Sequence, residues 1–312
     1  MNQGMRLIGF LCLGVAAVLA QSSTSVYTYD VNGRRVEARS SDTTNGTRTE
    51  RLQNLNGRTV PQEITEERVV SNEGGVRVTE RIVRRFDQNG NEAPPEKVLV
   101  EERRGSGGMS TTLTTVFRGD GNGRFAVHER STTESRAGGG ITESETRIER
   151  PTLNGSFDLV ERRLVQRRET QSQIEADQTT FRKDANGRMY EAAREETRET
   201  RQGDQVVTQT SEFEAATTGT LQLSRRSVSR LVKDAAGNEN RVVDVYGVNS
   251  PGRPAEPGTL RLREQQIIER QKSADGSVVE TFSIRRPGLA DANTLGPAQK
   301  ISETVCRGNC KN

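Results

Sequence analysis

The chain repeats itself with a period of 32 to 33 residues, and that period limits its fold more than any other feature. Asn-Gly pairs fall at Asn56, Asn89, Asn122, Asn154 and Asn186, with Thr218-Gly219 in the next slot, so successive steps are 33, 33, 32, 32 and 32 residues. A second series of turn-prone sites lies between them: Glu73-Gly74-Gly75, Gly107-Gly108, Gly138-Gly139-Gly140, Gln171-Ser172, Gly203-Asp204 and Gly237-Asn238. A chain that reverses roughly every sixteen residues leaves strands of about ten to twelve between turns.

Helical repeats share this range of periods, and Met189 to Arg201 and Leu159 to Ile174 favour helix locally. Gly107 to Phe117 and Arg130 to Thr142 do not, because they are full of Thr, Ser and Gly. Equivalent positions of one repeat share one structure, so the expectation is strand throughout.

The turns carry a pattern of their own. Asp87-Gln88-Asn89-Gly90, Asp120-Gly121-Asn122-Gly123 and Asp184-Ala185-Asn186-Gly187 read Asp-x-Asn-Gly. Asp suits the first position of a type I turn and Gly the left-handed fourth, which is the hairpin loop closed by a Gly bulge. Such a loop pairs residues placed symmetrically about the Asn. It sets Phe117 opposite Val127 and Phe213 opposite Leu223, and brings Phe125, Phe157, Met189 and Leu221 onto the same face. Apolar residues thus gather near the Asn-Gly edge. Away from it the strands are polar on both sides, as in His128 to Arg136, where mixed Arg, Glu and Thr suit cross-strand pairs.

The expected fold is all-β: an elongated antiparallel meander of about 32-residue hairpin repeats, partly single-layered, polar on both faces away from one apolar edge. Residues 56–286 form the repeat domain. Residues 21–55 read as an irregular N-terminal β segment, because Asn32-Gly33, Asn45-Gly46 and Asn56-Gly57 crowd together. Pro251 to Gly258 reads as an enlarged loop, and 287–312 as an irregular tail carrying Cys306 and Cys310.

Residues 1–20 have the parts of a cleavable export signal: Arg6, an apolar run from Leu7 to Leu19, and small residues up to Ala20. The run is short for a membrane span, which needs about 20 apolar residues. The chain is therefore expected to be exported, to the periplasm, cell surface or extracellular space. Lys and Arg number 46 against 43 Asp and Glu, and the signs are interleaved, which excludes nucleic acid as a partner. An outer-membrane barrel is expected to be excluded too, for want of an apolar alternate face with aromatic girdles.

No residue set points to catalysis, a cofactor or a metal. Cys306-x-x-x-Cys310 in an oxidising compartment reads as a local disulfide contributing roughly 2 kcal/mol at best. A redox pair, metal site or haem attachment are the sharper alternatives, but no His is nearby and the haem spacing is missing. Asp87, Asn89, Asn91 and Glu92 alternate like calcium ligands, yet Asp and Asn are what the turn itself needs. His128, the single histidine, reads as a solvated strand residue.

Tyr27-Thr28-Tyr29-Asp30-Val31-Asn32-Gly33-Arg34 resembles the start of a YD repeat, the β-repeat of secreted shell-forming and toxin-associated proteins. Phe181 to Arg188 echoes it. The likeness covers only turns, the period here is longer than that family's, and no function is carried over. The functional expectation is a non-enzymatic structural or surface protein of a bacterial cell envelope, an extended scaffold, spacer or adhesive sheet. The alternative is a module binding a lipid, glycan or peptide on the stripe Phe117, Phe125, Phe157, Phe181 and Phe213. Expected partners are an envelope protein, a glycan or a second copy.

Overall fold

The computed structural model describes residues 23–29, 35–43, 46–55, 58–87, 89–120, 122–216, 218–248, 260–288 and 294–307. Every regular element among them is a strand. In chain order these are β1 (Ser23–Tyr29), β2 (Arg35–Thr43), β3 (Gly46–Leu55), β4 (Arg58–Glu73), β5 (Val76–Arg85) and β6 (Glu96–Arg104). Then come β7 (Met109–Gly119), β8 (Phe125–Gly138), β9 (Ile141–Pro151), β10 (Phe157–Glu169), β11 (Gln173–Lys183) and β12 (Met189–Gln202). The last six are β13 (Gln205–Ala215), β14 (Leu221–Lys233), β15 (Glu239–Gly247), β16 (Arg261–Lys272), β17 (Val278–Arg285) and β18 (Gln299–Arg307).

Each strand pairs antiparallel with the next, as the hairpin repeat predicts. The turn chemistry also holds. In the loop after β7, Gly123 N–H donates to the Asp120 carbonyl at 3.2 Å with Gly123 at φ 77°. Asp120 Oδ1 accepts from the backbone N–H of Asn122 and Arg124 at 2.9 and 2.8 Å. Phe117 faces Val127 and Phe213 faces Leu223.

What the repeat does not reveal is that the two ends meet. β1 pairs with β2 on one side and with β18 on the other, from Ser23↔Arg307 to Thr28↔Ser302. Eighteen strands therefore close into an up-and-down ring. The flanks expected to be irregular supply this seam, since Ser23–Leu55 forms β1 to β3 and Gln299–Arg307 forms β18. Asn32, Gly33, Asn45, Asn56, Gly57, Pro251 to Gly258, Cys310 and the export signal lie outside the described residues.

The exclusion of a barrel is thus corrected. Closure is a matter of backbone edges finding partners, and nothing in it requires an apolar side-chain face. A second departure is a β-bulge in one even strand after another. The extra residue is His128 on β8, Val160 on β10, Ala192 on β12 and Ser224 on β14. These sit 32 residues apart. A bulge adds twist and switches which alternate residues face one side, both useful in curving a sheet into a cylinder. His128 is therefore the inserted residue of a bulge, not an ordinary strand position.

Candidate functional site: the two walls of the barrel

Opposed residues share a face and successive residues alternate, so the registers sort side chains onto two walls. Seven of the eight buried apolar residues fall on one wall: Val83, Val98, Ile148, Ile174, Val245, Val278 and Ile284. Side chains on the concave side of a closed sheet converge and those on the convex side splay apart. This wall is the inner one.

Eighteen strands about 4.8 Å apart and tilted by about 40° give a ring roughly 35 Å across between backbones, wide enough to leave an aqueous lumen. Between those apolar residues the inner wall is polar. Hydroxyls pair across strands, Thr133 with Thr146 at 2.8 Å and Thr197 with Thr210 at 3.1 Å. It carries ion pairs of both signs, including Arg150–Glu129 at 3.0 Å, Arg182–Glu161 at 2.8 Å and Lys233–Glu239 at 2.6 Å, beside charges with no ion pair among the described residues, such as Arg81 and Glu195.

The outer wall has two zones. Next to the Asn-Gly rim lies an apolar belt, two outward rows per hairpin. Phe117, Phe125, Phe157, Phe181 and Phe213 all belong to it, with Val127, Leu159 and Leu223 as neighbours. Two rows of a tilted strand make a belt roughly 10 Å tall. Phe125 is 38% exposed and Met189 37%, so the belt is open to its surroundings. The structure thus brings together the stripe expected from the sequence, on the outside of the ring and around one rim.

Beyond the belt the outer wall mixes charged residues with apolar ones, among them Ile82, Leu99, Leu113, Val228 and Val242. Arg48 and Arg84 share Glu66 at 3.0 Å each, Arg147 and Arg162 share Glu145 at 2.7 and 3.0 Å, and Arg68 meets Glu80 at 2.7 Å. Asp244 is 8% exposed and accepts from Arg230 at 2.7 Å and Gln265 at 2.9 Å. The more exposed pairs on Glu66, Glu145 and Glu80 each contribute about 0–1 kcal/mol.

Sequence reasoning missed one array. The first outward position past the belt is Lys97 on β6, then Arg130, Arg162, Arg194 and Arg226 on β8, β10, β12 and β14. Their spacing is 33, 32, 32 and 32, so the repeat carried the signal, but among so many arginines it could be picked out only after the bulges fixed the faces. Four of the five stand directly opposite an aromatic residue: Lys97↔Phe117, Arg162↔Phe181, Arg194↔Phe213 and Arg226↔Tyr246.

Other candidate chemistry resolves into local structure. The Asp87 carboxylate is spent on its turn, accepting from Asn89 N, Asn91 N and Asn91 Nδ2 at 2.8 to 3.0 Å, and these bonds hold it below the ordinary aspartate range. Among the described residues no cluster of His, Cys, Asp and Glu could hold a metal ion. Cys306 is disulfide-bonded. The two best-formed hollows, about 130 and 220 Å³, are open dents lined by Ala137, Gly140 and Arg167 and by Thr200, Gln205 and Val207. No helix among the described residues is long and apolar enough to cross a membrane.

No family model matches the chain, and no curated protein matches it. Solved structures do. A mutant of Rh. blastica porin shares the fold with a TM-score of 0.51 at 9% identity, over 92% of this chain and 98% of that one. A structure titled "Asymmetric conductivity of engineered proteins" gives 0.52 at 9% identity, over 92% and 96%. Together with the closed ring, this likeness overturns the expected scaffold, spacer or adhesive sheet, and equally the module binding a lipid, glycan or peptide on a phenylalanine stripe. The fold is that of a porin-like β-barrel.

Proposed function

We propose that the chain is a non-enzymatic channel of the outer envelope, a water-filled β-barrel through which small polar solutes pass. One observation carries the reading: an eighteen-stranded ring closed by β1 and β18 around a polar inner wall. Rings of sixteen to eighteen strands are wide enough that side chains do not fill them. Because the inner wall carries charges of both signs, the passage discriminates weakly between cations and anions.

The test is conductance. Residues 21–312, refolded and introduced into planar bilayers, are expected to give discrete steps with little ion selectivity. A correctly folded barrel that never conducts contradicts the reading.

The charged residues of the outer wall favour a second reading, a barrel that stands on a membrane instead of spanning it. A cation facing lipid costs about 2–4 kcal/mol at the bilayer midplane and little near the interface. The apolar belt of roughly 10 Å is well short of the 25 Å or so that barrels present to lipid. In this arrangement the barrel stands on the membrane by its Asn-Gly rim, with the charged wall in water. A barrel that binds membranes without conducting selects it.

A further inference from the structure

The row of cations bordering the belt is set apart by the aromatic rings it meets. Lys97 Nζ lies 4.8 Å from the centre of the Phe117 ring and 5.2 Å from that of Phe125. The Arg130 guanidinium lies 4.3 Å from the Phe157 ring centre, and its Nε is buried without a hydrogen-bond partner. Arg226 stands beside Tyr246 with no ion pair among the described residues. Arg162 and Arg194 do have carboxylates, Glu145 and Glu191. Three of the five, Lys97, Arg130 and Arg226, form no ion pair among the described residues, although Glu149 is the register partner of Arg130 and other outward arginines, such as Arg103 and Arg136, are likewise without one.

Alternate strands place these cations roughly 10 Å apart along an arc parallel to the rim. Aromatic side chains crowd the rim side of the arc, and charged residues interspersed with aliphatic ones such as Leu99, Leu113 and Val228 lie on the other. That order of apolar belt, cation, then water is what the surface of an anionic membrane demands. Acyl chains meet the phenylalanines, and phosphates meet ammonium and guanidinium groups whose apolar stems lie along the belt.

We propose that the Asn-Gly rim is the membrane-facing end of the barrel, and that Lys97, Arg130 and Arg226 seat it on anionic phospholipid headgroups. This rests on the rim-standing reading above and adds the residues that seat the rim and the lipid they choose.

The chain contains no tryptophan, so single reporters are clean. Phe157→Trp marks the belt, and Ile141→Trp marks the outer wall at the opposite rim. Folded protein is mixed with vesicles of phosphatidylglycerol or of phosphatidylcholine, and binding is read by flotation and by tryptophan emission. The expected result is emission shifting to the blue for Phe157→Trp alone, with affinity about tenfold or more higher for phosphatidylglycerol. The triple variant Lys97→Glu/Arg130→Glu/Arg226→Glu is expected to lose that preference, and the milder Lys97→Gln/Arg130→Gln/Arg226→Gln to lose most of it. Arg136→Glu, on the outer wall at the far rim, is expected to leave it intact, and circular dichroism checks that each variant is folded. Equal binding to the two lipids, a shift at Ile141→Trp instead, or an unchanged preference in both triple variants overturns the proposal. Vesicle binding without conductance counts against the channel and leaves the seating in place; conductance indifferent to lipid charge does the reverse.

Discussion

Replacing Gly123 by alanine should destabilise the barrel through the backbone alone. Gly123 has φ 77°, and a Cβ added there would meet nothing within 4 Å. No clash confuses the result. Holding an L-residue in the left-handed region costs about 1–2 kcal/mol, while stiffening the unfolded chain offsets about 0.4–1 kcal/mol of this. The net cost is about 0.5–1 kcal/mol per turn. Gly187 has the same geometry, φ 78° with open space around it, four strands away. The two sites are far enough apart to add. Gly123→Ala/Gly187→Ala should therefore cost about 1–2 kcal/mol, a fall in Tm of roughly 2–6 °C for a chain of this size. Asparagine tolerates the left-handed region, so Gly123→Asn/Gly187→Asn should cost less than half as much. Thermal melts followed at the strand band of the far-ultraviolet circular dichroism spectrum measure both. Alanine without cost, or asparagine as costly as alanine, would refute the bulged-turn geometry and with it the register it sets.

Two further predictions concern charge. Hydrogen bonds from Asn91, Asn238 and Ser277 hold the carboxyls of Asp87, Asp234 and Asp275 below the usual aspartate range. A depressed folded value means stability that is complete above the unfolded pKa of about 3.9 and is lost as pH falls through the folded value. The urea midpoint should therefore drop on acidification below about pH 4, and less steeply in Asp87→Asn/Asp234→Asn/Asp275→Asn; equal slopes would count against this. Arg230→Ala strips the buried Asp244 of its cation and leaves only Gln265. It should cost roughly 1.5–3 kcal/mol in urea unfolding, against under about 1 kcal/mol for Arg147→Ala, whose side chain is 56% exposed.

Much of this fold could be read from the residues, for a local reason. Asp120 and Gly123 need only their own loop to define a hairpin, and the loop fixes the first two rows on either side, including Phe117 with Val127. Past those rows the bulge intervenes. His128, Val160, Ala192 and Ser224 share no chemistry, because a bulge is decided by how the sheet curves, so the faces of Arg130 and its equivalents were hidden. Closure lay further out of reach. It depends on registers accumulated over eighteen strands and on β1 and β18, whose sequences look irregular beside the repeat. The exclusion of a barrel from its polar faces merged two separate questions, whether edges pair and what the outer wall touches. The cation row was present at its 32-residue period but could be told from other arginines only once the outer wall was known.

Closure of the ring is the central claim, and a crosslink between β1 and β18 tests it most directly. Val26 and Thr304 are register partners across the seam. In an open meander of eighteen strands about 4.8 Å apart, the two ends would lie on the order of 80 Å from each other. With Cys306 and Cys310 replaced by serine, Val26→Cys/Thr304→Cys is oxidised at low protein concentration beside Glu280→Cys/Thr304→Cys, a pair on neighbouring strands in either arrangement. A closed barrel predicts that both variants form an intramolecular disulfide to a similar extent. A crosslink in the second variant with none in the first, or only crosslinked dimers, would contradict the barrel and the channel built on it.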